Sequence, residues 1–388
     1  MSGLAPLRGH EDARAALARA VAARDLPGSL LIHGPSGVGK QRLALWLAQL
    51  LLCEHPGEEP CGDCHCCRTV RSLEHPDLLW FFPIVRPKAA GSPEKLAEAM
   101  EDARAEHLAA RREQPLRAAA PGEPLGLFLP QILTLRRLAA SRPAAGPRKI
   151  FVVGDAELLV PQEGNPEAAN AMLKVLEEPP RDTTFILTSA DPDALLPTIR
   201  SRLLPIRLRP LEPERVTAFL VEQLGTPADL ATHAARLGEG AIGRALGFLP
   251  EGAEPGPLEK LRQQARALLD AVAAPTPAPR LAAALHAAPA GARGAFSNVL
   301  AFLAGWIRDL AAVAAGVPEL AVNADALDDL RQLVRRFPGA ARATPLMLRH
   351  VHDAMGLAYG NVNPQLILSN LLQNLAEAMN SQAVAHHR

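Results

Sequence analysis

Ser29-Leu30-Leu31-Ile32-His33-Gly34-Pro35-Ser36-Gly37-Val38-Gly39-Lys40-Gln41-Arg42 is the stretch whose reading decides the fold. Its first five residues form an apolar run too short for a helix and read as a buried parallel strand. The run feeds a glycine-rich turn. There Gly34, Gly37 and Gly39 allow backbone N–H groups to converge on a phosphate, and Lys40 adds a positive charge. An apolar helix follows from Arg42 to Leu52. Strand, glycine turn and helix in that order make the first βα unit of a P-loop α/β domain. Further strands are expected at Lys149–Val153, Thr184–Thr188 and, more weakly, Leu204–Leu208. Helices are expected at Glu11–Ala23, Glu167–Leu176 and Asp193–Ile199, the second stopped by Pro179-Pro180, which cannot continue it.

The phosphate loop departs from a working site in two places. After Lys40 a Ser or Thr should ligate Mg²⁺, and Gln41 stands there. The strand ending at Val153 should deliver an acidic metal ligand and then a Glu that orients water, whereas the order is Gly154-Asp155-Ala156-Glu157. In the usual register Gly154 takes the metal position, and Asp155 takes the water-orienting position one methylene too short. Losing both removes the electrostatic stabilisation on which phosphoryl transfer depends, so no independent ATPase is expected and Mg²⁺ is not expected to be held. Weak binding of ATP or ADP through the loop backbone and Lys40 stays open, because neither needs the metal. The competing register, with Asp155 as metal ligand and Glu157 as base, gives an active ATPase.

The chain has 388 residues, enough for two or three packed domains. Ala, Leu and 36 prolines with only 4% aromatic residues favour helices with abrupt ends over an all-β fold. Lys plus Arg and Asp plus Glu both number 41, so no global basic field draws in nucleic acid. Met1–Gly9 has no basic segment leading into an apolar run, and no uninterrupted apolar stretch approaches the ~18 residues of a membrane span. A cytoplasmic location without membrane contact is the expectation. Residues 85–126 read as an insertion with an exposed helix from Pro93 to Arg112. From Pro213 the pattern is helical, with a linker rich in Pro, Gly and Glu at Pro250–Pro257.

All five cysteines, Cys53, Cys61, Cys64, Cys66 and Cys67, fall within fifteen positions. With no export signal read, such clustering favours metal over disulfides. Cys53, Cys61, Cys64 and Cys67 satisfy tetrahedral Zn²⁺ with no position left for water, so the site reads as structural. Cys66 is the expected spare, and His55 and His65 are alternative ligands.

Asn170-Ala171-Met172-Leu173-Lys174-Val175-Leu176-Glu177-Glu178-Pro179-Pro180, followed by Ile199-Arg200-Ser201-Arg202, closely resembles clamp-loader ATPases and replication factor C small subunits. The cysteine cluster and then His75-Pro76-Asp77 narrow the resemblance to bacterial clamp-loader subunits, covering Gly9 to about Leu249. It implies an AAA+ domain at 1–210 with a zinc module at 53–67, an all-α lid at 211–250 and an all-α collar at 251–388. Relatives of the tau/gamma kind keep the Ser or Thr, the acidic pair and a lid arginine. Here Gln41, Gly154 and Gly243 occupy those places, with Arg244 one position away, which points to the delta-prime kind.

The family's Ser-Arg-Cys signature appears as Ser201-Arg202-Leu203. The resemblance implies that Arg202 acts in trans, in a neighbour's ATP site, within a hetero-pentameric ring of tau/gamma and delta subunits. That ring, part of the DNA polymerase III holoenzyme, loads a sliding clamp on primer-template DNA. Collar interfaces would bury apolar helix faces such as Phe296–Val313 and Leu346–Leu357, although each also reads as an ordinary bundle core. Lys174 is a candidate DNA contact with a solvated helix residue as its plainer reading.

Overall fold

The computed structural model describes residues 3–88, 92–116, 125–159, 166–286, 293–358 and 362–380. Parts of the expected insertion, 89–91 and 117–124, lie outside the described residues. The chain divides into two compact units, one formed by Met1–Ala118 with Leu125–Leu246 and the other running from Gly247 onward.

The first unit runs α1 (Glu11–Ala22), β1 (Ser29–His33), α2 (Lys40–Leu52), α3 (His65–Arg71), β2 (Leu78–Phe81), β3 (Ile84–Val85), α4 (Pro93–Glu113), β4 (Leu125–Gly126), α5 (Leu129–Ala139), β5 (Lys149–Val153), α6 (Glu167–Glu177), β6 (Thr183–Ser189), α7 (Pro197–Arg200), β7 (Leu204–Arg207), α8 (Pro213–Leu224), α9 (Ala228–Leu237) and α10 (Ile242–Leu246). Five strands form one parallel sheet in the order β2-β5-β6-β1-β7. Both faces are covered by helices, which is why β1, β5 and β6 are buried almost throughout rather than on alternate residues. Register sets Phe151 beside Phe185, and their rings stack at 5.2 Å, with Phe81 continuing the stack at 6.4 Å. Each such pair adds about 0.5–1.5 kcal/mol beyond area burial.

The sheet departs from the sequence expectation at one edge. Leu78–Phe81 is a fifth strand not foreseen, and α5 is a further helix. The helix expected to be exposed, α4, is anchored on that edge. Arg111 lies 3.8 Å above the Phe82 ring and 4.5 Å from Trp80, Arg104 covers Phe81 at 4.8 Å, and Met100 is buried. Cation–π contact holds a helix whose charged face looked fit only for solvent. The helix expected over Asp193–Ile199 is instead a short 3₁₀ turn, Pro192–Ala194, followed by α7, because Pro197 supplies no N–H to continue the first turn.

The second unit consists of α11 (Pro257–Ala273), α12 (Ala278–Leu285), α13 (Arg293–Ala314), α14 (Leu327–Arg336), α15 (Ala340–Ala358) and α16 (Pro364–Asn380). Phe296–Ala314 in α13 is apolar enough on average, and long enough, to cross a membrane. Its Leu300, Leu303, Trp306, Ile307 and Leu310 are instead packed in the core of this unit, so the apolar face of α13 is already covered within the chain. On α15, Leu346 and Leu357 remain exposed. Arg262 organises the polar part of the interior. It pairs with Glu259 and Asp325 and donates to Asn323 Oδ1, while Asp309 accepts from the backbone and side-chain amides of Asn323.

Candidate functional site

α2 begins directly at the phosphate loop, with Gly39 at its N-cap, and β5 ends beside it. Lys40, only 5% exposed, donates through Nζ to the carbonyls of Gly34 and Pro35, both at 2.9 Å. Burial pushes its ammonium below the ordinary lysine value, and the carboxylates of Asp155 and Glu157 pull the other way. His10, in a left-handed conformation at the N-cap of α1, places Nε2 2.9 Å from the Val38 carbonyl oxygen. The loop is thus tied to its own chain from below.

Gln41 takes over the space where an acidic ligand would stand. Its Nε2 donates to Asp155 Oδ2 at 3.0 Å, and a Cβ placed on Gly154 would lie 2.8 Å from that same nitrogen. The two departures from a working loop are therefore one packing solution: the long amide fits because position 154 has no side chain. Asp155 has φ +48°, and its N–H donates to Thr188 Oγ1 at 3.1 Å. Glu157 turns toward β6, where Oε1 accepts from the Ala190 N–H at 3.0 Å, and burial raises its carboxyl above the usual range.

From above, α10 rests on the loop apex. The Gly243 N–H donates to the Gly37 carbonyl at 2.9 Å, and a Cβ on Gly37 would meet the Arg244 nitrogen at 2.6 Å. With φ +77°, Gly37 is required twice, for its conformation and for this close approach. Arg244 pairs with Glu239 at 2.9 Å.

At the other end of α2 the sulfurs of Cys53, Cys61, Cys64 and Cys67 all lie within 4.8 Å of one another, and Cys66 is not among them. Cys61 and Cys67 sulfurs are 3.9 Å apart, close to the ~3.8 Å edge of a tetrahedron built on Zn–S bonds of ~2.3 Å. Backbone N–H groups of His55 and Cys61 point at Cys53 Sγ, that of Cys64 at Cys61 Sγ, and that of Cys67 at Cys64 Sγ, at 3.3–3.4 Å. Such donors offset the negative charge of four thiolates, so the residues fit a zinc ion in kind, number and surroundings. Held there, zinc would tie the end of α2 to the start of α3 as a structural cross-link.

Arg202 and Ser201 follow α7, far along the chain from the loop. Arg202 donates through Nη1 to the Thr198 carbonyl at 2.7 Å and through Nη2 to Glu177 Oε1 at 2.8 Å, and 34% of its side chain stays exposed. Ser201 Oγ donates to the same carbonyl at 3.1 Å, and Arg200 pairs with Asp193. Lys174, on α6, borders a shallow cavity with Arg136, Arg137 and Glu178.

Sequence reading missed the task of Asp77. Its buried carboxylate accepts from the backbone N–H groups of Ala144, Ala145 and Gly146 at 2.7–2.8 Å. Burial alone would raise its carboxyl, but these three donors overcome that and hold it below the usual range. Asp77 so fixes the turn that leads into β5 and sets where Gly154 and Asp155 fall.

The family described as DNA polymerase III, delta subunit, matches residues 9–212. The DNA polymerase III subunit delta' of Bacillus subtilis is 29% identical over 212 residues, 55% of this chain and 50% of that protein. That of Pseudomonas aeruginosa is 32% identical over 173 residues, 44% of this chain and 40% of its own. The gamma/tau subunit of Mycobacterium tuberculosis is 28% identical over 236 residues, 60% of this chain and 33% of its own. The chain spans half or less of the length of these curated relatives. A match running from the helix before the phosphate loop to the strand beyond Arg202 covers more than half of the sequence. On that ground the chain belongs to the DNA polymerase III delta-subunit family and is delta-prime-like in its sequence.

Proposed function

We propose that the chain is a non-hydrolysing subunit of the DNA polymerase III clamp loader that supplies Arg202 to the ATP site of a neighbouring subunit. The observation carrying this reading is the Gln41–Asp155 hydrogen bond over Gly154. It fills the space needed for a magnesium ligand and engages the one carboxylate that could replace it, so in-line attack on a phosphate has neither metal nor positioned water. Glu157 Oε1 already accepts from the Ala190 N–H, which speaks against a gamma/tau-like ATPase using that residue as base. The lid contact between Gly243 and Gly37 also narrows the room for ATP or ADP, so any nucleotide binding is weak.

The partners that suit this role are gamma/tau and delta subunits in a cytoplasmic ring that acts on a sliding clamp and primer-template DNA. Zinc in the four-cysteine site is structural in this reading, and no electron or hydride chemistry is assigned to it. Arg202 is exposed on the first unit, as a residue used by a neighbour must be. An arginine supplied in trans to a nucleotide is worth ~10³–10⁵ in rate. The test is steady-state ATP hydrolysis by the isolated chain and by the reconstituted complex. The isolated chain is expected to show none, and Arg202→Ala is expected to slow the complex by at least about tenfold. Turnover by the isolated chain that Lys40→Ala abolishes would establish the gamma/tau-like alternative.

A further inference from the structure

The two arginines after α7 are held differently. Arg200 pairs with Asp193, seven residues away on the same loop, whereas Arg202 reaches Glu177, the last residue of α6 and 25 positions distant. α6 is fixed on the sheet through buried Ala169, Met172, Val175 and Leu176. Glu177 is therefore an acceptor on a rigid element, beside a turn that carries only a four-residue helix.

A carboxylate at that place is otherwise unfavourable. The C-terminal end of a helix carries partial negative charge, and Glu178 adds another carboxylate next to it. A guanidinium laid across Glu177 offsets this field. It uses one N–H on each of Nη1 and Nη2, leaving three of the five donors of the fork unengaged. With 34% and 48% of the two side chains exposed, the pair contributes little to folding stability. What it does supply is order in a side chain that would otherwise sample many rotamers.

We propose that Glu177 is a positioning residue for Arg202, holding the guanidinium against the end of α6 so that its remaining N–H groups meet the nucleotide phosphates of the adjoining subunit. The inference rests on the in-trans role of Arg202 proposed above. It makes Glu177 a contributor to the turnover of a site on another chain, without contact to that site's nucleotide.

The experiment is ATP hydrolysis by the reconstituted complex carrying the full chain as wild type, Arg202→Ala, Glu177→Ala, Glu177→Gln or the double Glu177→Ala/Arg202→Ala. Glu177→Ala is expected to lower kcat roughly three- to tenfold with KM for ATP unchanged, the effect of freeing one side chain. Glu177→Gln keeps an acceptor oxygen and is expected to recover part of the loss. The double variant is expected to match Arg202→Ala, and thermal unfolding of the isolated Glu177→Ala chain to match wild type. A slow Arg202→Ala beside a wild-type or faster Glu177→Ala overturns the role of Glu177 alone. So does a double variant slower than Arg202→Ala, or a large fall in the unfolding temperature of Glu177→Ala. Wild-type turnover by Arg202→Ala overturns the in-trans reading and, with it, this one.

Discussion

At the phosphate loop and at the turn after α7, polar groups are disposed in opposite ways. Around the loop, Lys40, Gln41 and Asp155 bond to one another's neighbourhood, and Lys40 is 5% exposed. At the turn, Arg202 keeps 34% of its side chain exposed and relies on two bonds at the surface. A buried donor left without a partner costs about 1–3 kcal/mol, and at the loop the Lys40 and Gln41 donors meet acceptors of their own chain. A residue that serves another molecule must instead forgo burial. In the role proposed above, closure at the loop and exposure at the turn are two sides of one division of labour.

The sharpest break of this comparison is functional. Arg202→Ala should slow ATP turnover of the assembled complex at least about tenfold, towards the ~10³ expected for a trans arginine, while the wild-type chain alone turns over none. A complex indifferent to Arg202 would leave the exposed turn without a purpose. Next in size comes the four-cysteine end of α2, the helix that begins at the closed loop. Cys64→Ser should take bound zinc, measured by atomic absorption, from about one per chain to near none and lower the unfolding temperature by several degrees.

Asp77→Asn addresses the turn before β5. Loss of the charge that receives three N–H groups should cost about 2–3 kcal/mol in urea unfolding at neutral pH. Because the folded carboxyl is held low, its contribution is complete above the unfolded value of ~3.9 and is lost as pH falls through the lower folded value. Wild type and variant should therefore converge in stability in strong acid. The smallest effect sharpens the account of the loop itself: Gly154→Asp should cost about 1–2 kcal/mol by crowding Gln41, and Gln41→Thr in the same chain should recover most of it. Strictly additive losses would mean that Gln41 does not fill that space.

Much of this architecture was legible in short stretches. Ser29–Lys40 reads as strand and phosphate turn because burial on both faces forces continuous apolar runs and the turn needs glycine. Lys149–Val153 and Thr183–Ser189 were read close to their observed ends for the same reason, and Leu204–Arg207 was found although it is an exposed edge strand. Leu78–Phe81 was not, although its apolar run is as plain, because it follows the buried Asp77, whose anchoring role appears only when it meets Ala144 and Gly146. For α4 the charged sequence pointed to solvent, whereas its arginines lie on the aromatic edge of the sheet.

The sequence by itself determined the parallel α/β unit, the departures at Gln41 and Gly154, the clustered cysteines and the presence of Arg202, since each is a local pattern of residue type and spacing. Only the tertiary structure decided that Gln41 and Asp155, 114 positions apart, close the site together, that α10 rests on Gly37, that four particular sulfurs converge, and that Glu177 holds Arg202. The physical reason is range. Periodicity and glycine content report what each segment prefers alone, while hydrogen bonds between distant segments exist only after burial has chosen which of them meet.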